Sequence, residues 1–440
     1  MRADGGLKRQ LGLGSATALV VGEVIAVGIF LTPAGMAKSL GSPMWLLIVW
    51  LLMGAMALCG ALCYGELGAR FPEAGGGYVY LREAYGRLPA FLYGWMAFLV
   101  LDPGLTAALA VGMASYASYV LNLDPLGMKA VAIGAILVLA AINIRGVRIG
   151  AGVMKGLTLI KIGLLAFIAL WGFGRGLGDW SHFKPFVAQH PGSEPFMEAL
   201  AGALVLGFFS FGGWWDLSKV AGELRDPERT LPRALTLGIF AVTFIYILTS
   251  AAFLYLVPLE RVTSGETFAA QVGEVLFGRA GGQAFASIVV ISVLGSLAAF
   301  IMAAPRVYYA MARDGLFFEA TAQIHPRFGT PARAIALQAA LASLLVVIGT
   351  FDEIVAYFFF AVVVFIALTV AAVYVLRRQQ MAAIVYRTPG YPLTPLVFLV
   401  LVSVLLVLLA VNNPQQSLLG VGVVALGVPV YQLIFRHKLA

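Results

Sequence analysis

The sequence predicts an all-α polytopic membrane protein of twelve transmembrane helices, the first and the sixth of them broken. Three observations carry that reading. Of the 440 residues, 61% are hydrophobic and only 11% charged, less than half the ~25% charge of a soluble domain. Apolar stretches near the ~20 residues that cross a bilayer recur along the chain. Glycines interrupt two of these stretches, in one case as an adjacent pair. The runs are too long and too uniformly apolar for barrel strands, and lipid offers exposed backbone no partner, so the spans are helices.

The opening MRADGGLKRQ is polar and basic, and the apolar run after it lacks a short core with a cleavage site. Residues 1–14 are therefore expected to be a cytoplasmic segment and the first span to be retained. Spans are expected at 15–39, 43–65, 88–121, 127–143, 153–174, 197–223, 233–257, 281–312, 332–349, 353–376, 391–411 and 416–435. Basic residues orient them. Of 29 Lys and Arg, 22 fall on the side of the termini, Lys219 and Arg306 among them, and 6 on the other; Lys161 alone sits within a span. Both termini are thus predicted to be cytoplasmic, with the protein integral to the plasma membrane and in contact with its lipid. The net charge of +8 is spread over short loops, which excludes a nucleic-acid binder. Cys59 and Cys63 lie in one apolar run and read as small packing residues. The four histidines have no pairing spacing and fall outside the apolar runs. No metal, no cofactor and no enzymatic activity are expected, and nothing resembles a channel's carbonyl filter.

Span 1 reads GSATALVVGEVIAVGIFLTPAGMAKSL, with Glu23, Gly22, Gly28, Gly35 and Pro33 inside it. Span 6 reads ALAGALVLGFFSFGGWWDLSKVAGE, with Gly212-Gly213 in mid-span and Asp216 beyond. A glycine costs ~1 kcal/mol in a helix interior, so the pair marks backbone that is not helical. The plainer alternative is that these glycines only let helices approach. Interruptions five spans apart are the pattern of inverted-repeat secondary transporters. The division follows: helices 1–5 over 15–174, helices 6–10 over 197–376, and two further helices over 391–435.

Four ordered blocks carry a resemblance: GEVIAVGIFLTP, YGELGARFPEAGGGYVYLREAYGRLPAFLYGW, FFSFGGWWDLSKVAGELRDPERTLPRAL, and APRVYYAMARDG followed by IHPRFGTP. From about residue 10 to 378 the chain resembles the amino acid–polyamine–organocation superfamily. It is most similar to the L-type amino acid transporter branch and the related bacterial exchangers. The resemblance implies the LeuT-type five-plus-five inverted repeat. One departure is plain: where the family often has Gly-Ser/Ala-Gly in the first break, this chain has Ala26-Val27-Gly28.

An amino acid zwitterion must leave water near the midplane, and broken helices can receive it. Free N–H groups of a half-helix suit the carboxylate, and freed carbonyls suit the ammonium. Val27, Gly28 and Ile29 are therefore expected to supply backbone donors and Ile25 a carbonyl. Phe209, Ser210 and Phe211 are expected to turn carbonyls to the ammonium. By resemblance, Phe209 matches the aromatic that closes over substrate and Trp214 a neighbouring pocket tryptophan.

Buried charge in a span costs roughly 3 kcal/mol on insertion scales, so such residues are functional by default. The resemblance places Lys161 where sodium-coupled relatives of this fold hold a sodium ion between spans 1 and 8, beside Gly295 and Ser296. An ammonium there imitates the ion's charge and can also lose its proton. Glu23 is expected to pair with Lys161, and Tyr246 matches a family tyrosine close to that lysine. Asp102 and Asp216 stay open between proton carriage, a substrate amine and a structural pair. Glu66, Glu223 and Arg306 read as pairs at cytoplasmic helix ends. The segments FFSFGG and YFFFAVVVFIAL offer no charged side chain, so neutral amino acids are the expected substrates. Proton-coupled, sodium-independent uptake is the leading expectation. Obligate exchange is the alternative, with cationic amino acid or polyamine transport the rival. No protein partner is called for, since no cysteine outside the spans could link one.

Overall fold

Apolar composition in long runs leaves one secondary structure for most of this chain. In a computed structural model, which describes residues 7–26, 28–258, 268–348, 351–379, 385–412 and 414–435, the protein is helical throughout its spans. Among the described residues, ten helices are long and apolar enough to cross a membrane. They are Pro43–Arg70, Arg87–Leu121, Pro125–Ile144, Gly150–Gly174 and Phe196–Glu223, then Pro227–Leu256, Ala280–Arg313, Phe360–Arg378, Leu393–Val411 and Ser417–Phe435. Two further expected spans complete the order: span 1 as two pieces, Leu13–Val24 and Gly28–Leu40, and span 9 as Ala332–Ile348. The expected spans are all present, with ends shifted by a few residues.

The break in span 1 follows Val24, where Ile25 leaves helical geometry with φ −75° and ψ 71°. The break in span 6 falls at the glycine pair. Gly212 is extended at ψ 149° and Gly213 is left-handed at φ 104°, a conformation glycine adopts without strain. Beyond it the inner half, Trp214–Glu223, is wound as a 3-10 helix and not as the α-helix expected. In span 3 the proline at 103 produces no open bend. The chain instead widens into a five-residue π turn, Ala97–Leu101, whose last carbonyl-to-amide link runs from Asp102 N–H to Ala97 C=O. That turn absorbs the donor Pro103 lacks and lays Asp102 against the interior.

The half of span 1 before its break is tied to span 6 at two places, one past the end of Trp214–Glu223 and one at the break, beside Ser210. Before span 1, the Gln10 and Leu11 N–H groups donate to the Glu223 carbonyl at 2.8 and 2.9 Å, and Arg225 N–H donates to Leu11 C=O at 2.8 Å. At the breaks, the Tyr246 hydroxyl of span 7 lies 2.7 Å from both the Val24 and the Ser210 carbonyls. Cys63 is buried and Cys59 half-buried in span 2, both as free thiols.

Candidate substrate site between the broken helices

The two breaks face one cavity of about 50 Å³. A single water needs ~10–15 Å³ on such a measure, so the space suits a small solute. Gly28 opens the outer half of span 1 on one side, and Phe209, Ser210 and the glycine pair of span 6 form the other. The first amides of that outer half-helix have no partner within their own helix and favour an anion. Apart from Glu23 and Ser296 the remaining walls are apolar, from Leu101, Leu105 and Leu109 of span 3 to Phe300 of span 8. The approach is tight: a Cβ added at Gly28 would lie 2.9 Å from Ser210 Cα. Ser210 and Thr32 hydroxyls meet at 2.8 Å across the same gap.

Lys161 is where the sequence placed it. Its side chain is 1% exposed, and its ammonium donates to Gly22 C=O at 3.0 Å, to Ile25 C=O, and to Ser296 Oγ at 2.8 Å. The Ser296 hydroxyl in turn points at Gly22 C=O, 2.5 Å away. Three acceptors thus surround three N–H protons at the junction of spans 1, 5 and 8.

Several expectations are corrected. Ile25 gives its carbonyl to Lys161 and Ser296, not to the cavity. Glu23 does not pair with Lys161; both its oxygens lack a hydrogen-bond partner among the described residues, and it lines the cavity instead. Tyr246 does not reach the lysine but sits between the two breaks. Trp214 packs away from the cavity, against Tyr64 at 5.1 Å and Phe398 at 6.3 Å; its neighbour Trp215 lines the cavity. Phe211 likewise turns into the core beside Trp50 and Tyr246, and Ile29 is buried outside the lining. The Phe209 carbonyl accepts Gly212 N–H at 3.0 Å, and the Ser210 carbonyl faces Tyr246. Val27 and the side chains of Tyr357, Phe358 and Phe359 lie outside the described residues.

The largest omission of the sequence reading is Lys219, counted there only among the basic residues on the side of the termini. It is 1% exposed inside the protein, 3.0 Å from Asp102 and 2.9 Å from Asp216. Tyr308 donates to the other Asp102 oxygen at 2.8 Å, and the Lys219 ammonium lies 5.2 Å from the centre of the Phe300 ring that walls the cavity. Asp102 and Asp216 are therefore taken by a lysine of the protein itself. The spacing Asp216-x-x-Lys219, one helical turn, was the signal available in the sequence. Arg306 and Glu223 are also buried, paired at 2.7 Å, and Arg377 grips Glu66 through two nitrogens at 2.8 and 2.6 Å. The first pair is an interior lock, and the second is half-buried at the Arg377 side.

A polytopic helical protein with two broken spans closing on one small cavity has the architecture of a secondary transporter. Comparison with known proteins narrows the class. The amino acid permease family profile matches residues 11–431. A serine/threonine exchanger of Bacillus subtilis (strain 168) is 32% identical over 99% of both chains. The human large neutral amino acids transporter small subunit 2 is 31% identical over 98% of this chain and 82% of its own. The mouse Asc-type amino acid transporter 1 is 30% identical over 97% and 81%. The chain belongs to the amino acid permease family, within the amino acid–polyamine–organocation superfamily and its L-type branch with bacterial relatives. It is an integral membrane transporter, not an enzyme.

Proposed function

We propose that the protein carries small neutral amino acids across the plasma membrane by alternating access, without sodium. One observation carries the reading: both helix breaks face a single small cavity whose lining includes one charged side chain, Glu23. The outer half of span 1 suits the substrate carboxylate, and the apolar walls suit an uncharged side chain. Phe209, on the cavity wall, serves as the aromatic that covers the substrate. Cationic amino acids and polyamines fit poorly, because Asp102 and Asp216 already share Lys219. The names of the relatives agree, one an exchanger of serine and threonine and another a transporter of large neutral amino acids.

Coupling turns on Lys161. An ammonium with an acceptor for each proton is best satisfied charged, since the neutral amine would aim a lone pair at an oxygen. That supports a fixed cation in the sodium position and obligate exchange of one amino acid for another. Proton-coupled uptake is the second reading, favoured by the burial of Lys161 beside the break. Residues 15–174 and 197–376 form the two five-helix repeats in this proposal, with 391–435 outside them. Both termini are cytoplasmic in it: setting aside the buried Lys219 and Arg306 leaves a basic bias of 20 to 6.

Reconstituted protein tests all of this. Preloaded unlabelled alanine, serine, threonine or leucine should accelerate uptake of the labelled amino acid, with no response to a sodium gradient. Failure of counterflow for every one of them refutes the transport reading. Uptake that needs an inward proton gradient and ignores internal amino acid replaces exchange with symport.

A further inference from the structure

An amino acid held between these breaks needs an acceptor for its ammonium, and three of the four expected carbonyls are engaged. Ile25 C=O receives Lys161 and Ser296, Phe209 C=O receives the Gly212 amide, and Ser210 C=O faces Tyr246. Glu23 is the only charged residue in the cavity lining, is 5% exposed, and has no hydrogen-bond partner for either oxygen among the described residues. It sits directly beneath the span 6 break, where a Cβ on Gly213 would lie 3.2 Å from Glu23 Cβ. An orphan carboxylate in such a place is costly unless a cation or a proton meets it.

The surrounding charges say which. The ionisable side chains facing Glu23 are Asp216 and Lys219 of span 6 and Asp102 of span 3. Lys161 of span 5 reaches the adjacent carbonyl of Gly22. Three carboxylates against two ammoniums leave one negative charge over. Lys219 is spent on the two aspartates and Lys161 on the backbone, so neither neutralises Glu23.

We infer that Glu23 is the acceptor for the substrate's α-ammonium, opposite the helix N-terminus at Gly28 that takes the carboxylate. This rests on the transport reading above and adds a side-chain partner to a site otherwise made of backbone. One ionised carboxylate opposite one α-ammonium makes the occupied cavity neutral in that pair. In the empty cavity a proton takes the ammonium's place and is released when substrate enters.

The experiment compares wild-type protein with Glu23→Gln and Glu23→Asp. L-Alanine is the probe, and L-lactate, in which a hydroxyl replaces the ammonium, is the competitor. In wild type, alanine is expected to displace labelled alanine and lactate to fail by at least ~100-fold, since charge-assisted bonds are lost. Glu23→Gln should weaken alanine binding by ~10–100-fold, narrow the preference over lactate, and abolish the proton release seen in weakly buffered solution when alanine binds. Glu23→Asp should restore part of both. A purely structural role would lower folded yield without moving the alanine–lactate ratio, and that result overturns the inference. So does Glu23→Gln binding alanine as tightly as wild type, or wild type releasing no proton. Should Glu23→Gln fail to fold, the wild-type proton release and lactate discrimination decide alone. Wild type that counterflows lysine or putrescine in place of the neutral amino acids overturns the function proposed above. In that case a Glu23→Gln protein that still binds lysine normally overturns the assignment of Glu23 as well.

Discussion

Replacing Lys219 with methionine keeps most of the stem's volume and deletes a buried ammonium between two carboxylates. Asp102 would retain only the Tyr308 hydroxyl at 2.8 Å. Asp216 would retain nothing, since its contact with Lys219 at 2.9 Å is an approach of charges and its oxygens have no aligned donor. Removing one partner of a buried pair costs ~3–5 kcal/mol, because the other charge is left in a low-dielectric interior. With two carboxylates stranded by one substitution, the upper end of that range is expected. Replacing all three together, Asp102→Asn with Asp216→Asn and Lys219→Met, removes the charges as a set and should recover most of the loss. The assay is thermal unfolding of purified protein, read as the fraction still monodisperse after heating. Lys219→Met should melt several degrees below wild type and the triple variant close to it. Equal melting of Lys219→Met and wild type would refute the reasoning, for it would mean that the cluster carries no charge balance.

Three further outcomes are expected. Lys161→Ala should remain folded yet lose transport, because the Ile25 carbonyl loses its principal donor and the inner half of span 1 its anchor; normal counterflow by this variant would remove Lys161 from the mechanism. Phe209→Ala should fold normally and transport slowly, a lid of this kind often limiting turnover, and a wild-type rate would leave Phe209 as packing. Gly28→Ala places a methyl 2.9 Å from the Ser210 backbone and 3.0 Å from its Oγ; the breaks must part to admit it, so substrate affinity should fall at least ~10-fold with the protein still folded, as binding isotherms would report.

Hydropathy made the spans legible because lipid imposes it on every lipid-facing residue, and a glycine pair in mid-span made the second break legible because little else explains it. Lys161 was legible for the same reason: nothing polar follows it for twelve residues, so it had nowhere to go but inward. Lys219 was not. It sits near the end of a span, where a basic side chain ordinarily reaches the interface, and only the coiling of Trp214–Glu223 as a 3-10 helix turns it back between Asp102 and Asp216. The choice between Trp214 and Trp215 was equally beyond the chain itself, since adjacent residues of a 3-10 helix point about 120° apart and the left-handed Gly213 sets the phase. Carbonyl engagement at Ile25 and Ser210 depends on partners 36 to 271 residues away, and at Phe209 on the turn itself. No local pattern encodes that.

The double fastening between spans 1 and 6 has a mechanical meaning. A segment pinned at one end swings; a segment pinned at both ends travels with whatever holds it. Gln10 and Leu11 are clipped to Glu223 and Arg225 at one end, while Tyr246 clasps Val24 and Ser210 at the breaks. The half of span 1 before its break is therefore held at both ends by span 6, by the end of Trp214–Glu223 and, through Tyr246, by the half of span 6 that precedes the glycine pair. Backbone amides in 10–24 and 214–224 should then exchange with deuterium in concert, and tension applied to the chain before Leu11 would be felt on the floor of the cavity.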